Sequence, residues 1–206
     1  MKTHPYAKFI WDSLMAEFDN EYGVAGLMGN LRAESGLYPD RVQGDVPYSD
    51  YSKEYTSKVD NYTISRDEFA NNGPNGNGYG LAQWTFYTRK YALYDRWQSG
   101  GYNSIGDIRL ACDFLIRELK NDFNSVYTTI KNASSIRVAS DKVLHDFEAP
   151  ADQSISVEVL RESLGQEVYD AFKGTSSTPS TPETPTPSKP NTHKLSKLLL
   201  YSAILD

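Results

Sequence analysis

A run of apolar residues between positions 21 and 35 constrains the fold more strongly than any other part of the sequence. Its members follow the i, i+3, i+4, i+7 spacing of one buried helix face: Val24, Leu27, Met28 and Leu31. Glu34 continues this face, and Gly36 can adopt the left-handed conformation in which helices commonly end. The sequence therefore predicts a buried helix over residues 21–35 with a carboxyl group in its last turn.

Glu34 is the candidate catalytic acid. Burial removes water from a carboxyl group, and the C-terminal end of a helix carries partial negative charge, so both effects disfavour the ionised form. A carboxylic acid that keeps its proton near neutral pH is suited to general acid catalysis. The alternative interpretation is a carboxylate at the helix edge that pairs with Arg32.

Two motifs in a fixed order resemble the phage tail-type lysozyme family and, more distantly, the goose-type lysozymes and soluble lytic transglycosylases. They are Glu34-Ser35-Gly36 and, after a polar stretch, Gly78-Tyr79-Gly80-Leu81-Ala82-Gln83-Trp84-Thr85 with Arg89. The resemblance covers about residues 5–173. It implies that the Glu-Ser helix end supplies an acid and that the Gly-Leu-x-Gln turn lines a glycan cleft.

A third element also resembles this family: Phe147-Glu148-Ala149-Pro150, followed by a helix that carries Arg161. The resemblance implies that Glu148 and Arg161 form a structural ion pair, which ties the last helix to the floor of the cleft. A second catalytic carboxyl group is the alternative role for Glu148.

The expected fold is mainly α, of the α+β lysozyme-like kind, with a small β or irregular lobe. Apolar periodicity predicts helices over residues 5–19, 21–35, 88–98, 104–123, 125–131, 135–147 and 157–172. The helix over 104–123 is expected at the centre, and Leu160 and Leu164 of the last helix are expected to point inward. Residues 37–78 lack a sustained helical period, so we expect them to close one wall of the cleft, with short strands near residues 55–64.

Five residues are candidates for contact with the glycan: Ser35, Tyr79, Gln83, Trp84 and Arg89. The amide of Gln83 both donates and accepts hydrogen bonds, which suits the acetamido group of an N-acetyl sugar; a structural hydrogen bond is its alternative role. Trp84 is either a platform for a sugar ring or a core anchor. Arg89 is expected to pair with an acid in the cleft or to be solvated.

The second catalytic group is left open by the sequence. Four carboxylates in the lobe are candidates that spacing does not rank: Asp45, Asp50, Asp60 and Glu68. A separation of about 5–5.5 Å from Glu34 would allow a retaining mechanism, and about 6.5–9.5 Å an inverting one. With no carboxylate near, the 6-hydroxyl of the sugar would attack, as in a lytic transglycosylase, and Glu34 would act as acid and then as base.

Composition excludes several other functions. The net charge of −6 and the pI near 5.1 argue against nucleic-acid binding and against attraction to anionic membranes. The single cysteine, Cys112, sits at a core-like position, and the three histidines are scattered, so we expect no metal, no other cofactor and no peptidase or amidase site. The glycine-rich run before residue 78 lacks the Lys-Ser/Thr ending of a phosphate-binding loop.

The two ends of the chain bear on its organisation. No signal peptide is visible, which favours synthesis in the host cytoplasm and release through a holin, or carriage on a virion tail. Residues 1–173 are the expected catalytic domain, and residues 174–193 are a Pro/Thr/Ser-rich linker. Residues 194–206 are apolar but too short to span a membrane, for which about 20 residues are needed. We expect them to begin a wall-binding module or, alternatively, to form an oligomerisation helix.

Together with the candidate acid Glu34, the resemblance to the phage tail-type lysozymes implies a peptidoglycan hydrolase that lyses bacterial cells. The expected target is the β-1,4 bond between N-acetylmuramic acid and N-acetylglucosamine, with Glu34 as the general acid. The alternatives are a transglycosylase that gives 1,6-anhydro products and a non-catalytic glycan-binding or tail-structural module.

Overall fold

The computed structural model describes residues 1–71 and 77–175 of the chain. Within these residues the protein is mainly α-helical, as predicted, and contains no β-strand. The described residues form nine α-helices in chain order: α1 (Ala7–Phe18), α2 (Glu21–Ser35), α3 (Asp50–Asp60), α4 (Arg66–Ala70), α5 (Tyr87–Gly100), α6 (Ile108–Asn121), α7 (Asn124–Asn132), α8 (Ile136–Val143) and α9 (Ile155–Phe172). A π-helical turn, Leu144–Glu148, extends α8.

Helix α2 lies at the centre of the domain, in the position that the sequence had assigned to the helix over 104–123. Every residue from 23 to 31 is buried, so this helix is enclosed on all sides rather than on one face. Asn20 caps its start by accepting from the Gly23 amide at 3.0 Å, and Gly36, with φ of 65°, ends it. Both signals are local in sequence, and the predicted bounds of 21–35 are confirmed.

Glycines allow the neighbouring helices to approach α2 closely. A Cβ atom on Gly26 would lie 2.7 Å from Cβ of Ala139 in α8, and one on Gly29 would lie 2.4 Å from the Arg161 carbonyl oxygen in α9. Such distances are too short for carbon atoms in contact, so only glycine is compatible with this packing. The C-terminal end of α2 is thereby fixed against α8, which precedes the π-helical turn, and against α9, which follows it.

The segment 37–78 differs from the expected β or irregular lobe. Its described part holds α3 and α4, and residues 55–60, which we expected near a strand, are helical. Ser49 begins α3 by accepting from the Tyr51 amide, and Ser65 and Glu68 form a capping box at α4. The β structure is limited to two isolated bridges, from Tyr79 to Val42 and to Trp84.

Two further predictions about helices are wrong. Helix α6 begins at Ile108 instead of residue 104, because the Asp107 side chain accepts from the Arg109 amide at 2.9 Å and caps the helix there. Leu160 of α9, predicted to point inward, is 55% exposed. Arg161 occupies the buried position beside it, where it contacts α2.

In the described part of the chain, no helix is both long and apolar enough to cross a bilayer. Most of the predicted linker, from residue 176, and the whole apolar segment 194–206 lie outside the described residues, as do residues 72–76 of the glycine-rich run.

Candidate functional site

A cavity of about 680 Å³ opens beside the C-terminal end of α2. Its polar lining includes Glu34, Arg41, Gln83, Arg89 and Glu148. Apolar side chains also line the wall: Val46 and Phe86, which are exposed, and Pro150, which is half-buried. The volume falls within the range of about 300–1,000 Å³ that is usual for ligand pockets.

Glu34 is held at the edge of this cavity by a buried network. Arg161 Nη2 donates to Glu34 Oε1 at 2.5 Å, and Arg161 Nη1 donates to Asn30 Oδ1 at 3.0 Å. The Asn30 amide nitrogen in turn donates to the backbone oxygens of Gly26 and Ser140. The Glu34 side chain remains 21% exposed, whereas that of Arg161 is only 8% exposed. The carboxyl group therefore has a fixed position, a cationic partner and access to the cavity.

Glu148 is the second carboxyl group of the cavity. It ends the π-turn, and Ala149 follows in a left-handed conformation with φ of 42°. Its Oε1 atom is shielded from solvent, and no protein group within the described residues donates a hydrogen bond to that atom. Burial, and then the charge of Glu34, raise the pKa of Glu148 well above the ordinary glutamate range, while the charges of Arg89 and Arg161 oppose the shift. The neutral acid is thus the favoured form of Glu148.

Arg89 connects the cavity with α6. Its guanidinium donates to both carboxylate oxygens of Glu118, at 2.5 and 2.8 Å, and lies 4.8 Å from the centre of the Phe147 ring. The indole of Trp84 donates to Glu118 Oε2 at 2.9 Å. Arg89 therefore does pair with an acid, but that acid lies on α6, at a position that the sequence did not single out.

The turn from Gly78 to Trp84 forms one edge of the cavity. Tyr79 and Trp84 exchange backbone hydrogen bonds of 3.1 and 3.0 Å, and Gly80 has φ of 80°. Gln83 donates through Nε2 to the backbone oxygens of Arg41 and Gly80, both at 3.0 Å. Gln83 thus lines the cavity and also holds the adjoining loop, which is the structural role considered for it.

Three of the predicted glycan-binding residues do not line the cavity. Ser35 and Trp84 are fully buried. The Ser35 hydroxyl donates to the Leu31 carbonyl, and the Tyr79 hydroxyl lies 2.8 Å from that of Thr56. Their side chains stabilise the turn and the end of α2, so we correct the sequence-based assignment to a structural one. Gln83 and Arg89 are the two predicted contact residues that reach the cavity.

None of the four candidate second carboxylates lines the cavity. Asp45 accepts from the hydroxyls of Ser49 and Ser52. Burial opposes ionisation of Asp45, but these hydrogen bonds outweigh it and lower its pKa to about 2. The other three are used elsewhere: Asp50 pairs with Lys53, Asp60 accepts from the Ile105 amide, and Glu68 caps α4.

The expected ion pair between Glu148 and Arg161 is also not the one observed, because Arg161 bonds to Glu34. The pairing depends on how α9 packs against α2, and no local pattern reports that. Asn30 was missed as well. A polar residue four positions before Glu34, within the otherwise apolar run from residue 23 to residue 31, was the signal that would have identified it.

The described residues contain no group of three or more histidine, cysteine, aspartate or glutamate side chains suited to a metal ion. Cys112 is buried, and burial raises the pKa of its thiol to about 12. A thiolate nucleophile is therefore strongly disfavoured at this position.

A helical domain whose buried central helix presents a glutamate to a cavity with a second carboxyl group has the parts that acid-catalysed cleavage of a glycosidic bond requires. A family model described as phage tail lysozyme matches residues 6–172, and the chain belongs to that family. Searches of curated proteins and of solved structures found no match. The family membership gives the chain a lysozyme-like, peptidoglycan-lytic role.

Proposed function

We propose that the protein cleaves the β-1,4 bond between N-acetylmuramic acid and N-acetylglucosamine, with Glu34 as the general acid. The observation that carries this proposal is the position of Glu34. Its carboxyl group is fixed by Arg161, remains partly exposed and faces a cavity large enough for sugar rings. Phe86, which is 69% exposed on the cavity wall, offers an apolar face of the kind on which sugar rings pack.

The proposed reaction needs one proton donor and one attacking oxygen. Glu34 gives its proton to the glycosidic oxygen as the bond from that oxygen to C1 breaks, and the departing sugar leaves as an alcohol. A water molecule or the substrate's own 6-hydroxyl then attacks C1 and gives its proton to the Glu34 carboxylate. The acid is thereby restored in the same cycle.

Attack by the 6-hydroxyl is the second candidate, and one observation favours it. Glu148, the other carboxyl group of the cavity, is preferentially neutral because burial raises its pKa. A neutral carboxylic acid is a poor nucleophile and a poor base. Because the four lobe carboxylates also lie away from the cavity, Glu34 and Glu148 are the carboxyl groups that line it among the described residues, and neither is a second, ionised base that could activate a water while Glu34 acts as the acid.

Mass spectrometry of fragments released from purified peptidoglycan tests this proposal. Reducing muramic acid ends indicate hydrolysis, and 1,6-anhydromuramic ends indicate the transglycosylase. Both outcomes support cleavage of the proposed bond. New reducing N-acetylglucosamine ends would move the cut to the other linkage. No fragments at all would favour the non-catalytic glycan-binding module.

The delivery route and the C-terminal part belong to the same proposal. We take the enzyme to act on the wall either as an endolysin after holin release or from the virion tail, with residues 174–193 as a linker and 194–206 as the start of a wall-binding module. Assaying purified virions and lysates separately for the protein distinguishes the two routes.

A further inference from the structure

Three carboxyl groups and two guanidinium groups meet beside the cavity. Arg89 pairs with Glu118, and Arg161 pairs with Glu34. Neither arginine donates a hydrogen bond to Glu148 in this arrangement. When both pairs are ionised, their four charges cancel. The cluster as a whole is then neutral only if Glu148, its fifth member, is protonated. A buried carboxylate without a partner would carry a large desolvation cost.

Two buried polar atoms in this cluster have no hydrogen-bond partner among the described residues. One is Glu148 Oε1, an acceptor, and the other is Arg161 Nε, a donor. The charge of Arg161 acts on Glu148, so the two side chains are close enough to interact. Arg161 meanwhile uses its Nη atoms for Glu34 and Asn30. The Nε–H group of Arg161 is therefore available to donate a hydrogen bond to Glu148 Oε1 when Glu148 is a carboxylate.

The geometry points to a proton shared by Glu34 and Glu148, with Arg161 pairing with whichever of the two is ionised. Glu148 is then a positioning residue that keeps the proton which Glu34 delivers to the glycosidic oxygen; this inference rests on the proposed function. In the arrangement described, Glu148 holds the proton and Arg161 pairs with Glu34. Transfer of that proton to Glu34 leaves Glu148 as a carboxylate, which accepts from Arg161 Nε–H, and the total charge stays the same.

The charges that face Glu148 come from four elements: Glu34 of α2, Arg89 of α5, Glu118 of α6 and Arg161 of α9. The titratable neighbours on its own turn are engaged elsewhere, since Asp146 pairs with Lys142 and His145 bonds to Gln153 and Glu158. Because both arginines keep their charge across the whole working range of pH, titration of the cluster is governed by its carboxyl groups. Two carboxyl groups that interact this closely lose their protons in two separate steps.

The experiment is a pH–rate profile of peptidoglycan cleavage for the full chain, the Glu148→Gln variant and a control. Glutamine preserves the shape of the neutral acid but holds no transferable proton. Because Glu34 then has no neighbouring acid from which to take a proton, we expect activity at pH 7 to fall at least about tenfold, as for the loss of an acid–base group. We also expect the alkaline limb to move at least about one unit toward acid pH, as removal of a like charge requires.

Glu167→Gln is the matched control, because Glu167 is 55% exposed and pairs with Arg32 outside the cavity. Its profile should coincide with that of the wild type. A merely structural Glu148 would lower the rate at every pH and leave the limb in place. That result, or an unchanged profile, would overturn the inference. Cleavage of peptidoglycan at the wild-type rate by a Glu34→Gln variant would instead overturn the proposed function, so the two failures are distinguishable.

A second readout does not depend on activity or on the Glu148 variant. Carbon NMR of glutamate carboxyl groups in the wild type should show one group that keeps its proton well above the ordinary glutamate value of about 4.3. In Glu34→Gln that group should lose its proton at lower pH, because the charge of Glu34 is gone. Titration of every glutamate in the ordinary range would contradict the shared proton.

Discussion

Lys90 in α5 allows a stability prediction whose size follows from the structure. This lysine is fully buried, and its Nζ donates to the Asn77 carbonyl oxygen at 3.1 Å. Burial lowers its pKa from 10.5 to about 8. A shift of about 2.5 units corresponds to roughly 3 kcal/mol of unfavourable free energy for the charged form. Replacing Lys90 with Met should therefore stabilise the protein at pH 7.

The hydrogen bond to Asn77 offsets part of this gain. Its loss costs about 1 kcal/mol, so the net stabilisation expected for Lys90→Met at pH 7 is about 2 kcal/mol. The gain depends on pH in a definite direction. Between pH 8 and 10.5 the unfolded lysine binds more protons than the folded one, so the wild type becomes more stable as pH rises. The advantage of the variant should largely vanish by about pH 9.5.

Urea unfolding of the wild type and of Lys90→Met at pH 7 and pH 9.5 measures this difference in stability. The contributions of all other titrating groups cancel in the comparison because both proteins carry them. Lys58→Met, a change in a lysine that is exposed in α3, is the matched control and should show little change at either pH. An Lys90→Met variant that is less stable than the wild type at pH 7, or whose advantage is the same at both values, would refute the reasoning.

Three further predictions concern the core and the site, each checked by urea unfolding. Gly29→Ala should destabilise the fold by about 3 kcal/mol or more, since its Cβ would overlap the backbone of α9; a change below about 1 kcal/mol would mean that the helices separate easily. Glu118→Gln should cost about 3 kcal/mol because Arg89 loses its buried partner, and equal stability would show that the pair is solvated. Asp45→Asn should cost about 2 kcal/mol of stability at pH 7, where the ionised Asp45 with its lowered pKa stabilises the fold. This cost should disappear as pH falls to about 2, where Asp45 takes up a proton in the folded state too. A cost that is independent of pH would contradict the assigned charge.

The parts of the fold that the sequence predicted correctly are those with local signals. The bounds of α2 follow from Asn20 and Gly36, which end the helix on either side through their own backbone and side-chain chemistry. Helix α3 also begins at a side-chain cap, Ser49, yet it was not predicted. Two of its buried residues are apolar, Tyr55 and Val59, and two are polar, Ser52 and Thr56, so the polar members conceal the apolar period.

The site divides in the same way. The role of Glu34 as an acid could be predicted because Glu34 lies in the last turn of α2, so the residue and the buried helix that presents it form one continuous stretch of sequence. Its partner Arg161 is 127 residues away, and the nearness of Glu148 depends on a π-helical turn that no simple apolar pattern reports. The lobe carboxylates were candidates because they lie in the segment 37–78, which was expected to close one wall of the cleft. Asp60 accepts from the distant Ile105 amide, which is a tertiary contact, whereas the other three are engaged by residues three to seven positions away in sequence.

The most direct measurement compares wild type, Glu34→Gln and Glu167→Gln in the rate of fragment release from purified peptidoglycan at equal protein concentration. We expect Glu34→Gln to lose at least about 100-fold in rate, as for removal of a general acid, with circular dichroism showing an intact helical fold. Glu167→Gln should act at the wild-type rate. Fragment release by folded Glu34→Gln at the wild-type rate would contradict the assignment of Glu34 as the acid.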